Sequence, residues 1–142
     1  MIRLSRREDY AVILVGALVD DYNKQLVPLS KIAKEYDLSL LFLRNVASDL
    51  RAAQVIKAIE GKHGGYELVS DPQKMTMGDV LRPFAKDDVL TCCSMEGKAD
   101  HKRICPQKDR CVAGNVWRKL NKELMDKVYN LTLFAFLKQT NT

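Results

Sequence analysis

The stretch Pro28–Arg51, PLSKIAKEYDLSLLFLRNVASDLR, decides how this chain folds. Leu29, Ile32, Ala33 and Tyr36 recur at helical spacing behind Pro28, whose fixed φ suits a first helical position. Asp37-Leu38-Ser39 breaks that helix, and Ser39 is the natural N-cap of the next. The second helix sets Leu43, Val46, Ala47 and Leu50 at core spacing. Its other face carries Leu41, Phe42, Arg44, Asn45, Ser48 and Arg51. Two short helices across a three-residue break have the helix-turn-helix pattern, in which the second helix enters the major groove of DNA by its N-terminal residues. Leu41 and Phe42, exposed at that end, suit contact with thymine methyls or packing along the DNA backbone. An ordinary helical hairpin with a few surface apolars fits these residues equally well.

The residues that follow favour the first reading. Val55–Ile59 and Tyr66–Val69 read as strands joined by Glu60-Gly61-Lys62-His63-Gly64-Gly65. The glycines of that turn permit positive φ and close approach of another backbone. A hairpin directly after a helix-turn-helix makes a winged helix. Its tip, Lys62 and His63 with the amides of Gly64 and Gly65, is placed to touch phosphates or the minor groove.

Upstream, Ser5-Arg6-Arg7-Glu8 fits a capping box, opening a helix from about Arg6 to Val19 that ends at Asp20-Asp21-Tyr22-Asn23. Arg3, Arg6 and Arg7 before the apolar run Ala11–Val19 imitate a secretion signal. Glu8 and Asp9 interrupt that pattern, Asp20-Asp21 follow it, and the run is too short to span a bilayer. It reads as a buried core helix of a cytoplasmic protein with no membrane association. Downstream, Thr76 with Asp79 opens a fourth helix with a core face of Val80, Leu81 and Phe84, which Pro83 kinks or ends. After Cys111 comes the longest periodic segment, with Trp117, Leu120, Leu124, Val128 and Leu131 in one stripe. A lone helix of this kind must bury its stripe, and a second subunit is the natural partner. Asn130-Leu131-Thr132 breaks it before a last short helix, Leu133–Leu137.

All four cysteines of the 142-residue chain lie between Cys92 and Cys111. That segment has no apolar period and reads as a loop; in a cytosolic chain such a cluster points to metal rather than disulfides. The net charge is +5, and all of the excess falls in residues 73–142, around and after the cysteines. Basic neighbours stabilise a thiolate-rich or anionic site, and a solvated basic face accounts for the charge as well. Two histidines, no nucleophile elbow and no phosphate loop leave no catalytic constellation, so an enzyme is not expected.

Arg3-Leu4-Ser5 with Asp9-Tyr10-Ala11, Leu29-Ser30-Lys31-Ile32-Ala33, Ser39 with Leu43, Gly61-Lys62-His63-Gly64-Gly65-Tyr66, Met77-Gly78-Asp79-Val80-Leu81, and Cys105 and Cys111 with Trp117 follow in order. Together they resemble the IscR/NsrR/BadM (Rrf-two type) family of bacterial winged-helix regulators, over nearly the whole chain. The resemblance implies a homodimeric transcription regulator, in the repressor class, that binds a double-stranded DNA operator. Its cysteine loop would carry an iron–sulfur cluster, 2Fe-2S or 4Fe-4S, reporting iron–sulfur status, nitric oxide or redox state. Cys105 and Cys111 match the last two cysteine ligands, and Cys93, with Cys92 as alternative, the first. Cys93 and Cys105 have eleven residues between them, including His101, more than the family's usual spacing. IscR-like members place a histidine ligand where this chain has Gly114, so that scheme fails. NsrR-like members use an acid near the start of the first helix, given by the other subunit. Asp9 matches it, with Cys92 and His101 as alternative ligands, although an acid in a first helical turn also simply favours the helix dipole.

The family's DNA-reading positions match Ser39, Leu41, Phe42 and Arg44. Arg44 stands where IscR has an acid, implying a different operator, and Glu60 replaces the wing arginine of many relatives. The expected architecture is mainly α with a small β-hairpin. Residues 1–85 would form the winged helix-turn-helix DNA-binding domain, 86–111 the cysteine-rich cluster loop, and 112–142 the long dimerisation helix with a short C-terminal helix. A structural zinc site or a thiol-oxidation switch on the same winged helix remains the alternative.

Overall fold

The computed structural model describes residues 5–85 and 110–139; Cys92, Cys93, His101 and Cys105 lie outside them. Its elements are α1 (Arg6–Val19), α2 (Leu29–Glu35), α3 (Leu40–Ala52), β1 (Ile56–Ile59), β2 (Gly65–Leu68), α4 (Met77–Leu81), α5 (Val112–Asn130) and α6 (Leu133–Gln139). This is the mainly helical winged helix that the sequence leads one to expect.

Local chemistry sets the helix starts. Ser5 and Glu8 exchange bonds with each other's backbone amides in a capping box, and Thr76 and Asp79 do the same for α4. Ser39 Oγ accepts from the Phe42 N–H at 3.3 Å, which starts α3. Pro28 stands one position earlier than expected, as the N-cap of α2.

Helices α2 and α3 both end in Schellman turns, closed by left-handed residues other than glycine. Asp37 has φ 52° and Gln54 φ 59°, while the Leu38 N–H donates to Ala33 O at 2.8 Å and the Val55 N–H to Leu50 O at 2.9 Å. Glutamine bears a Cβ penalty in that conformation, so Gln54→Gly is expected to stabilise the protein by about 1 kcal/mol. A higher urea midpoint at unchanged m-value is the check.

Ala11, Leu14, Val15 and Leu18 of α1 meet Leu43, Val46, Ala47 and Leu50 of α3 in one core, with Leu29 and Ile32 of α2, Ile56 and Leu68 of the hairpin, and Val80 and Leu81 of α4. Each fully buried Leu or Ile contributes about 1.5–3 kcal/mol relative to exposure. Tyr36, expected on the α2 core face, is exposed because it falls at the C-cap, where the chain has left the helix.

The wing is an antiparallel pair with Ile56 opposite Leu68 and Ile59 opposite Gly65, and Val27 bridges Tyr66 on its other edge. Only Gly61 of its glycines uses positive φ, at 132°. Gly65 serves close approach instead: a Cβ there would lie 2.9 Å from the Val27 backbone. Gly65→Ala is therefore expected to push Val27 off the wing and cost about 1–3 kcal/mol, read as a lowered thermal midpoint.

The C-terminal helices join the same body. The Met77 N–H donates to Leu131 O and the Leu133 N–H to Met75 O, both at 2.8 Å, so the α5–α6 corner clasps the start of α4. Leu133 is fully buried, and α6 packs on α1. The α5 stripe is thus split between two environments. Leu124, Val128 and Leu131 are partly covered by the chain's own body, whereas Val112, Val116, Trp117 and Leu120 remain 77, 50, 43 and 42% exposed.

Candidate nucleic-acid interface and cysteine site

The candidate DNA-contacting groups lie on α3 and on the wing. Ser39 opens α3 at the surface, Leu41 is 71% exposed beside it, and Arg44 and Asn45 follow on the same outer face. A guanidinium, an amide and an apolar side chain at a helix N-terminus are the groups that read base edges in a major groove. Phe42 differs from the expectation of an exposed ring. It is half-buried and packs edge-on against Tyr10, with ring centroids 4.7 Å apart.

At the wing tip Lys62 and His63 are exposed, and Glu60 lies beside them. The Gly64 N–H donates to Gly61 O at 3.0 Å, so that amide closes the turn rather than facing outward. Lys57 and Glu67 pair across the strands at 2.9 Å on the wing face, a partly exposed bridge worth at most about 1 kcal/mol.

Helices α1, α4, α5 and α6 line a largely apolar, half-open cavity of about 530 Å³. Glu8, Asp9, Val12 and Ile13 form its α1 wall, Met77 and Leu81 its α4 wall, Leu124, Met125, Val128 and Tyr129 its α5 wall, and Phe136 its α6 wall. Burial raises the pKa of the Tyr129 phenol, the Glu8 charge raises it further, and Arg82 opposes them. The phenol therefore stays neutral beside the carboxylate at physiological pH.

Cys111 is the N-cap of α5: its half-buried Sγ accepts from the Gly114 N–H at 3.3 Å, and the thiol is free. Positive helix-end charge at the sulfur favours an anionic ligand there. Gly114, next along that turn, has no side chain with which to ligate. Among the described residues no three His, Cys, Asp or Glu side chains gather. Asp9 instead lines the same cavity as Leu124, Met125, Val128 and Tyr129 of α5, and Leu124, the first of these, lies about 20 Å along the helix axis from the N-cap Cys111.

A helix-turn-helix followed by a β-hairpin makes a winged helix, the fold of many DNA-binding regulators; among the described residues no helix is long and apolar enough to cross a membrane. The chain belongs to the Rrf2 family, described as iron-dependent transcriptional regulators, whose model matches residues 4–139. It is 30% identical over 132 residues to the HTH-type transcriptional regulator IscR of Vibrio vulnificus, covering 93% of this chain and 75% of that protein. Its structure resembles T. potens IscR with a TM-score of 0.73 at 26% identity, over 97% of this chain and 88% of that one. It also matches CymR, the global cysteine regulator of B. subtilis, with a TM-score of 0.74 at 22% identity over 98% of both chains, a likeness of fold. Staphylococcus aureus CymR in its oxidised form matches with a TM-score of 0.68 at 25% identity over 94% of both chains. The chain is thus a transcriptional regulator and not an enzyme.

Sequence reasoning named Tyr10 only within the Asp9-Tyr10-Ala11 group of the family resemblance and gave it no role, whereas its ring and hydroxyl meet the start of α3. That role leaves no local pattern, because its contacts join residues 29 positions or more apart.

Proposed function

We propose that this protein is a cytoplasmic, homodimeric, DNA-binding regulator whose operator affinity is set by an iron–sulfur cluster. The observation that carries this reading is the position of Cys111. It begins a helix whose first half presents an uncovered apolar stripe, on the same body that exposes Leu41, Arg44 and Asn45 of α3. In this reading residues 1–85 bind DNA through Ser39, Leu41, Arg44, Asn45, Lys62 and His63. Residues 86–111 carry the cluster loop, and 112–142 join the two copies.

Cys93, Cys105 and Cys111 would hold the cluster, with Asp9 as fourth ligand. Three thiolates and a carboxylate fit an iron–sulfur centre, and the free, half-buried sulfur of Cys111 at a helix N-terminus suits an anionic ligand. The cluster, when bound, supplies a centre reactive toward oxidants and nitric oxide. The roughly 20 Å along α5 from Leu124 to Cys111 favours Asp9 serving the partner's cysteines rather than its own. Asp9 would then tie α1 of one protomer to the loop of the other.

Anaerobic purification, with visible absorption and quantified iron and sulfide per dimer, tests this. A coloured protein with matching iron and sulfide, whose affinity for operator DNA changes on cluster removal, is the expected result. A colourless protein that contains zinc would make the loop structural. Protein that stays metal-free after reconstitution would leave thiol oxidation, through Cys105 and Cys111 or the vicinal pair Cys92-Cys93. Either result overturns the cluster reading.

A further inference from the structure

Helix α1 has two working faces. Successive residues turn 100° in an α-helix, so Glu8, Asp9, Val12 and Ile13, which wall the cavity, fall opposite Arg7, Tyr10, Ala11 and Leu14. The second face holds α3 near both ends. At the N-terminus of α3, Tyr10 Oη accepts from the Ser39 N–H at 3.3 Å, while its ring packs edge-on against Phe42. Ten residues along α3, Asp49 pairs with Arg7, whose guanidinium also lies 5.8 Å from the centre of the Phe84 ring.

We infer that Tyr10 is a positioning residue for DNA reading, fixing where the first turn of α3 presents Leu41 and Arg44. The inference rests on α3 being the DNA-reading helix. In this inference Tyr10 acts on α3 rather than on DNA: its hydroxyl oxygen accepts from the Ser39 N–H and its ring packs on Phe42. What it controls is the angle at which α3 leaves the body, with the Arg7–Asp49 pair as the second point that stops rotation about the first. Backbone phosphate contacts tolerate a small rotation of α3, because they act over distance; base-edge contacts do not.

The test compares Tyr10→Leu, Tyr10→Phe and Arg44→Ala with wild type, all as anaerobically purified full-length protein. The probes are a duplex enriched from a random-sequence library by the wild-type protein, and calf-thymus DNA as a non-specific competitor. Tyr10→Leu loses ring and hydroxyl, and is expected to weaken binding to the enriched duplex about tenfold while non-specific affinity stays within about twofold. Tyr10→Phe keeps the ring contact and should lose only about threefold, and it remains informative should the leucine variant fold poorly. Loss of both affinities in parallel with a lowered unfolding temperature would make Tyr10 a plain core contact and overturn the inference. If Arg44→Ala weakens the enriched duplex and neither Tyr10 variant does, the positioning role falls while the interface stands. No effect in any of the three removes α3 as the reading helix, and the inference with it.

Discussion

A Trp117→Glu, Leu120→Glu double variant is expected to be monomeric at micromolar concentration and to bind operator DNA about 100-fold more weakly than wild type, through loss of bivalent engagement of two half-sites. Both side chains are more than 40% exposed on the protomer, in the uncovered first half of a helix whose later apolar residues, Leu124, Val128 and Leu131, are partly covered by its own body. Glutamates there cost little in an isolated chain. Across a two-fold interface each carboxylate would face apolar surface and its own symmetry copy, a desolvated like-charge contact. Sedimentation velocity reads the assembly state, and fluorescence anisotropy with a labelled duplex reads the affinity. The milder Leu120→Ala should show concentration-dependent dissociation, which separates a weakened dimer from an unfolded chain. A double variant that stays dimeric and binds as wild type would exclude this face of α5 as the interface.

Replacing Cys111 separates two roles that coincide in one sulfur. As N-cap of α5 it accepts the Gly114 N–H, and as proposed ligand it holds iron. Cys111→Ala removes both. It is expected to lose about 1 kcal/mol of stability, as N-cap removal does, and to contain almost no iron or sulfide after reconstitution. Its operator affinity should be the same before and after reconstitution, where wild type changes. Cys111→Ser restores an acceptor at the N-cap, since serine is among the best capping residues, but presents a hydroxyl rather than a soft thiolate to iron. The serine variant should therefore recover stability and stay cluster-free. Iron retention in both variants would remove Cys111 from the ligand set. Equal stability of all three proteins would show that the cap contributes nothing measurable.

The local elements were legible because their causes are local. Ser5 with Glu8, Ser39, and Thr76 with Asp79 announce helix starts through side chains that bond amides three residues away. The periodicity of Leu43, Val46, Ala47 and Leu50 names the buried face of α3, and all four are buried. The wing followed from two short apolar runs about a glycine turn. Tyr36 was misplaced because periodicity does not register where a helix has ended. Phe42 was read as exposed because its shelter, the ring of Tyr10, comes from α1.

Sequence by itself determined the winged helix, its capping, the α3 residues that face outward apart from Phe42, and the concentration of thiols ahead of the last long helix. These depend on periods of three to four residues and on side chains that satisfy neighbouring backbone, all of which a linear chain records. Only the tertiary structure decided how the α5 stripe is shared between the chain's own body and an uncovered half. It alone set Asp9 on a cavity that α5 also lines, and it alone joined Tyr10 to Ser39. Each of these depends on the angle at which distant helices cross, and that angle is set by how the whole core fills its volume.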